Sequence, residues 1–197
     1  MKYNTTNKII FIQWVAGAGK WTLVNNILKN NPNKFKFVLS YKTRNKRPDE
    51  IDWIDANFIT LEDFKTKIKN NEFLEYEKVH GLSYYWTLKK DIIENWILSW
   101  FNIIKEIDML WIRNIYSNNI DLKDNIYSIF LNINNDLMIS RMKERDSSIS
   151  ENEILIRVET ADKERILAKR YCNIIIDISE YSKEDVLNKF EILMKDF

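Results

Sequence analysis

Residues 14–22 read WVAGAGKWT, and the residue types in this run are those that hold phosphate. Gly17 and Gly19 let backbone N–H groups close around an anion, and Lys20 has the reach and charge for the outer phosphates. A helix starting here aims the positive end of its dipole at the same point. The spacing follows the phosphate-loop pattern G-x-x-x-x-G-K-[ST], with Val15, Ala16 and Ala18 among the variable positions. Trp14 stands where the pattern has its first glycine and Trp21 where it has a hydroxyl residue, with Thr22 next. Taken alone, the run is also compatible with an ordinary strand-to-helix turn carrying a solvated lysine. Cys172 is the one cysteine and reads as core, while His80, beside Gly81, reads as a loop residue rather than a base.

The elements that must position this loop follow from hydrophobic spacing. Residues 8–13 (KIIFIQ) form a short apolar run, and residues 21–30 (WTLVNNILKN) carry apolar side chains at helical spacing, so the segment reads strand, loop, helix. Residues 35–40, 102–108, 126–132 and 173–177 suit further buried strands. Helical patterns lie at 61–70, 88–98, 136–145, 151–170 and 183–194, the first of them with Thr60 as N-cap and acids at Glu62 and Asp63. Strands alternating with helices predict an α/β fold, a parallel sheet with helices on both faces. Residues 41–88 are richer in polar and aromatic residues than their flanks and read as an inserted subdomain, and the strongly charged 141–157 reads as a mobile lid. There is no internal repeat and no long linker.

Composition narrows the function classes. At 197 residues and 23.8 kDa, one domain is expected. No apolar run reaches the length of a membrane span and the N-terminus lacks the order of a secretion signal, so a cytoplasmic protein with no membrane partner is expected. A net charge of +1 argues against a broad basic face for nucleic acid, and one histidine with one cysteine argues against a structural zinc site. One ratio is abnormal: ordinary usage gives a chain of this length about 14 glycines, whereas it has 3, alongside 7 tryptophans.

The stretches SYKTRNKRPDEIDWIDANF, NNEFLEYEKVHGLSYYWTLKK and IKEIDMLWI, in this order after the phosphate loop, resemble the guanylate kinase family across almost the full length. The resemblance implies a P-loop nucleoside monophosphate kinase fold: a core at 1–40 and 89–197, a GMP-binding insert at about 41–88 and a lid at about 136–160. It implies transfer of the terminal phosphoryl of ATP to GMP, with magnesium as cofactor and ATP and GMP as partners, in a monomer or homodimer. Lys20 matches the loop lysine on the transferred phosphoryl, and Thr22 lies beside the magnesium-binding hydroxyl position. Ser40, Arg44 and Arg47 match contacts to the GMP phosphate, and Tyr84 and Thr87 match further GMP contacts. Glu75 matches the carboxylate that accepts from guanine. Asp108, two residues beyond Glu106 on the same face, matches the acid near nucleotide and magnesium. Arg141, Arg145 and Arg157 match lid arginines. Phosphoryl transfer asks chiefly for positioning and charge neutralisation, so this set suffices without a covalent nucleophile.

The departures from the family are selective. Ala56 replaces a tyrosine, Asp49 a glycine and Leu110 a glutamine, and the loop at 80–85 is one residue longer. Trp14, Trp53, Trp86, Trp100 and Trp111 all stand at family glycines, and Trp21 stands where many members have glycine; Trp96 has no firm counterpart. An indole at position 14 occupies space meant for phosphate. The codon UGA means glycine in some bacterial codes and tryptophan in others, and a chain rich in asparagine, isoleucine and lysine fits an AT-rich gene. The tryptophans therefore read as recoded glycines. If they are real, the alternative is a catalytically dead module of the same fold that binds a protein partner.

Overall fold

Alternation of side chains along a strand sends successive residues to opposite faces, and strand β1 (Ile9–Trp14) uses both. In a computed structural model, which describes residues 7–16, 18, 20–46, 50–79, 83–97, 100–117 and 123–197, β1 is the middle strand of a five-stranded sheet. Ile10 and Ile12 enter one apolar cluster and Ile9 and Phe11 another. The sheet order is β2 (Phe35–Phe37), β7 (Asn102–Glu106), β1, β8 (Ile126–Asn132), β9 (Ile174–Asp177), and every pairing is parallel. One face is covered by α1 (Lys20–Asn30), α5 (Asn135–Arg145), α6 (Glu151–Tyr171) and α7 (Lys183–Met194), which give Val24, Met138, Ala161 and Phe190 to the first cluster. The other is covered by α3 (Lys89–Ile97) and α4 (Met109–Ser117), through Ile92 and Ile112. This is the α/β architecture that the alternating pattern predicts.

Residues 41–88 fold as a separate layer with its own sheet, ordered β4 (Asn57–Phe58), β3 (Tyr41–Lys42), β6 (Ser83–Leu88), β5 (Phe73–Val79). Helix α2 (Leu61–Lys69) packs on it through Phe64, beside Tyr41, Phe73, Trp86 and Leu88. Thr60 caps α2, its hydroxyl oxygen accepting from the Asp63 N–H at 3.1 Å. The two-residue β3 and β4 are too short to show a period, and β5 and β6 were read only as part of the insert.

Two strand ends differ from expectation. The strand expected to reach 40 stops at Phe37, and the one expected to reach 108 stops at Glu106. In the second case Asp108 turns the chain: its carboxylate accepts from the Leu110 N–H at 2.7 Å and starts α4, which the sequence reading leaves unassigned. The run MLWIRNIYS buries Met109, Trp111 and Ile112 and exposes Leu110, Arg113 and Asn114, so an apolar residue interrupts its outer face. Among the described residues, no helix is long and apolar enough to cross a membrane.

The tryptophans meet contrasting surroundings. Trp53 is largely exposed and sits at φ 65°, in the left-handed region, inside the turn closed by the bridge between Asp52 and Ala56. The other described non-glycine residue with positive φ is Asn71, a type that tolerates it. Trp86 is fully buried among the insert's aromatic rings, with an indole N–H that has no hydrogen-bond partner. Trp111 is buried and Trp100 almost fully exposed, and the Trp96 side chain lies outside the described residues. A left-handed L-residue costs roughly 1–2 kcal/mol, part of which glycine gives back through unfolded-state entropy. Trp53→Gly is therefore expected to raise unfolding stability by about 0.5–1 kcal/mol in denaturant titrations; a lowered midpoint contradicts this.

Candidate functional site

Two cavities flank the end of β1 and the start of α1. The first, of about 530 Å³, is lined by Ala18, Thr22 and Leu23 from the loop and α1, by Arg141, Glu144 and Arg145 from α5, and by Ile178, Tyr181, Lys183, Val186 and Leu187 from the β9–α7 region. Three cations against one carboxylate make it a site for an anion with an apolar body. The second, of about 250 Å³, lies where the core sheet meets the insert and is lined by Gln13, Trp14, Ser40, Tyr85, Trp86, Glu106, Ile107, Asp108, Met109 and Glu164. Its wall is acidic, and the buried Gln13 side chain has an amide nitrogen without a partner there. Orphan donors are rare in folded proteins, so this one marks the cavity as suited to a polar occupant.

The loop between them turns as it leaves β1. The Val15 N–H continues the ladder by donating to the Leu131 carbonyl at 3.2 Å, and the Ala18 N–H donates to the Val15 carbonyl at 3.3 Å. Trp14 is half-buried against the larger core cluster, as is Ala16, and Ala18 is buried. Gly17 and Gly19 lie outside the described residues, as do Arg47, Asp49, His80 and Gly81. Lys20 and Trp21 open α1, and Glu75 stands in β5 opposite Thr87, but the side chains of these three are also outside the description.

Among the expected acceptor-side residues, Ser40 and Asp108 share the second cavity, and Thr87 is buried in β6. The Tyr84 ring stacks on Phe64 at 4.3 Å inside the insert, while its neighbour Tyr85, on the other face of β6, lines the second cavity. Arg44 donates from Nε to the Tyr85 hydroxyl at 2.8 Å and grips Glu50 with both terminal nitrogens, one of them at 2.6 Å. That carboxylate, followed by the Tyr85 contact, holds the guanidinium proton well above its ordinary affinity. Glu50 and Glu164 are absent from the sequence reading, and of the pair Tyr84 and Tyr85 that reading preferred Tyr84 as the ligand.

The lid residues divide. Arg141 and Arg145 line the first cavity, whereas Arg157, on α6, pairs with Glu153 one turn earlier and is not among the lining residues of either cavity. Thr22 and Asp108, the expected magnesium pair, line different cavities, and no group of three or more His, Cys, Asp or Glu side chains gathers for a metal among the described residues. The donor chemistry nonetheless fits, because magnesium carried by a nucleotide takes most of its oxygens from phosphate and water and only one or two from protein carboxylates. Tyr181 and Lys183, also unread in the sequence, sit in a loop and a helix start where no periodicity points to a cavity.

Comparison with known proteins matches this arrangement to a family. The family model described as guanylate kinase covers residues 6–195. The chain belongs to the guanylate kinase family. A guanylate kinase of Rickettsia prowazekii is 30% identical over 178 residues, covering 90% of this chain and 86% of that protein. A guanylate kinase of Mesomycoplasma hyopneumoniae is 39% identical over 113 residues, 57% of this chain and 56% of that one. The crystal structure of guanylate kinase from Anaplasma phagocytophilum superposes with a TM-score of 0.72 over 96% of this chain and 85% of that chain, at 18% identity, which speaks to the fold.

Cys172 packs beside Gln13, its thiol donating to the Gln13 side-chain carbonyl at 3.3 Å, and burial pushes the thiol up to about 12. At pH 8 the native thiolate is then scarcer than in an unfolded chain by about a thousandfold. Labelling by a disulfide reagent is expected to be slower in the folded protein by about that factor and to become fast in denaturant; equal rates contradict the burial.

Proposed function

We propose that this protein transfers the terminal phosphoryl of ATP to GMP, giving ADP and GDP. The observation that carries the reading is the pair of cavities on either side of the β1–α1 loop, one cationic and one lined by hydroxyls and carboxylates, in a chain of this family. In the first cavity ATP would set its phosphates against the α1 N-terminus and Lys20, with Arg141 and Arg145 neutralising charge and the apolar wall around Ile178 and Tyr181 taking the nucleoside. Arg157 would join when the lid, about 136–160, closes. GMP would occupy the acceptor side, with Ser40, Arg44, Arg47, Tyr85 and Thr87 toward phosphate and sugar and Glu75 accepting from guanine, and the insert 41–88 would move with it. When bound with ATP, magnesium would be held through Asp108 and Thr22 and would supply neutralisation of the phosphate charge. The setting is cytoplasmic.

The nature of the tryptophans belongs to this proposal. Trp53, an L-residue at φ 65°, supports glycine as its natural occupant, and Trp14, at the first glycine position of the loop pattern, lines the second cavity. The chain made in its own cells would carry glycine at both. Peptide mapping of the protein from those cells tests this directly, and tryptophan at these positions overturns it.

ADP formation with ATP, magnesium and GMP is the functional test, run on the chain as written and on a version with glycine at all 7 tryptophan positions. Turnover by the glycine version is expected. Two folded and inactive proteins would reject the kinase reading. Glu75→Gln is expected to raise the KM for GMP by roughly tenfold to a hundredfold while leaving the KM for ATP within about twofold; an unchanged GMP value removes Glu75 from guanine recognition.

A further inference from the structure

Lys105 is charged, lies mid-strand in β7 and is fully buried. Its ammonium group donates to the Val38 carbonyl at 3.1 Å and to the Ser40 hydroxyl oxygen at 2.6 Å, spanning the joint between the core sheet and the insert. Desolvating a lysine costs several kcal/mol unless the charge is compensated. Asp91 is the nearby anion: it interacts electrostatically with Lys105 and hydrogen-bonds Tyr41, the first residue of the insert sheet.

Hydrogen-bond polarity gives this contact a direction. An ammonium group has donors and no acceptor, so in the bond to Lys105 the Ser40 oxygen can only accept. Its own proton is left to be donated elsewhere, and Ser40 lines the second cavity. The neighbouring wall repeats the device, since Arg44 donates to the Tyr85 hydroxyl, which lines the same cavity. Two hydroxyls are each backed by a cation, an arrangement that strengthens each as a donor toward an anion.

We propose that Lys105 is a positioning residue for the acceptor nucleotide, holding Ser40 so that its hydroxyl donates to GMP. The inference rests on the functional reading above and deepens it. Lys105 acts through Ser40 and touches no substrate itself. A purely structural lysine would affect both substrates through stability, whereas a positioning lysine acts on GMP alone.

The test uses Lys105→Met, Ser40→Ala and the double variant, each in the form of the chain that turns over, with thermal melts to establish folding. Each single substitution is expected to raise the KM for GMP about tenfold with the KM for ATP unchanged, and the double variant to be no worse than either single. A folded Lys105→Met protein whose KM for GMP stays within about twofold of the parent overturns the proposal, as does additive loss in the double variant. Should Lys105→Met fail to fold, Ser40→Ala decides alone, because it removes one oxygen and leaves Lys105 in place; an unchanged KM for GMP then overturns the proposal. A parent that uses ATP with no turnover of GMP overturns both this inference and the functional reading, whereas an active parent with an indifferent Lys105→Met loses this inference only.

Discussion

The structure depends on holding one strand end still. A phosphate loop binds through backbone N–H groups, and those groups aim correctly only if the strand before them cannot shift. β1 is paired on both sides, by β7 and β8, and its ladder runs one residue past the strand through Val15 and Leu131. Its side chains lock into separate clusters above and below the sheet. A one-residue slip would exchange the two sets, so register is fixed from both faces at once. The loop, the first turn of α1 and both cavities take their positions from that anchored end.

Charge is then distributed by where each helix returns to the sheet. α5 and the start of α7 bring Arg141, Arg145 and Lys183 to one side of the loop. β7 and α6 bring Glu106, Asp108 and Glu164 to the other. Parallel connectivity makes this possible, because every strand points its C-terminal end to the same rim and consecutive connections bring different helices there. An anion bound on one side and a second nucleotide on the other would meet across the loop.

Much of this was legible from residue patterns, and the gaps have physical causes. The five core strands and the capped helices announced themselves because apolar spacing over five or more residues has a definite period. The insert sheet did not, since Tyr41–Lys42 and Asn57–Phe58 are too short for any period to appear. Helix α4 was hidden because the apolar Leu110 stands on its exposed side beside Arg113 and Asn114, and its cap at Asp108 also lines the second cavity. Tyr84 and Tyr85 show the limit most clearly: adjacent identical residues offer no compositional preference, and only the direction of β6 decides that one packs on Phe64 while the other faces the cavity. Lys105 was invisible for a different reason, because a lysine inside an apolar strand gives no sign of the oxygen atoms that make its burial tolerable.

The two cations that back the Ser40 and Tyr85 hydroxyls, Lys105 buried and Arg44 partly exposed, also limit how the joint between core and insert can move. Lys105 bonds the Val38 carbonyl on the core side and Ser40 just before the insert begins, and Asp91 reaches Tyr41 from α3. Breaking these contacts would strand an ammonium group in a water-poor space, at a cost of the order of 3–5 kcal/mol when one partner of a buried pair is lost. The Glu50 grip on Arg44 is partly exposed and far cheaper to rearrange. Movement of the insert about the core is therefore expected to pivot at residues 38–41, with Lys105 as the fixed point, while the Arg44 loop adjusts around the incoming phosphate. That order of costs matches one hydroxyl backed by a fully buried cation and the other by a partly exposed one: under the proposed reading the first would fix where the acceptor nucleotide lies, and the second would adjust to it.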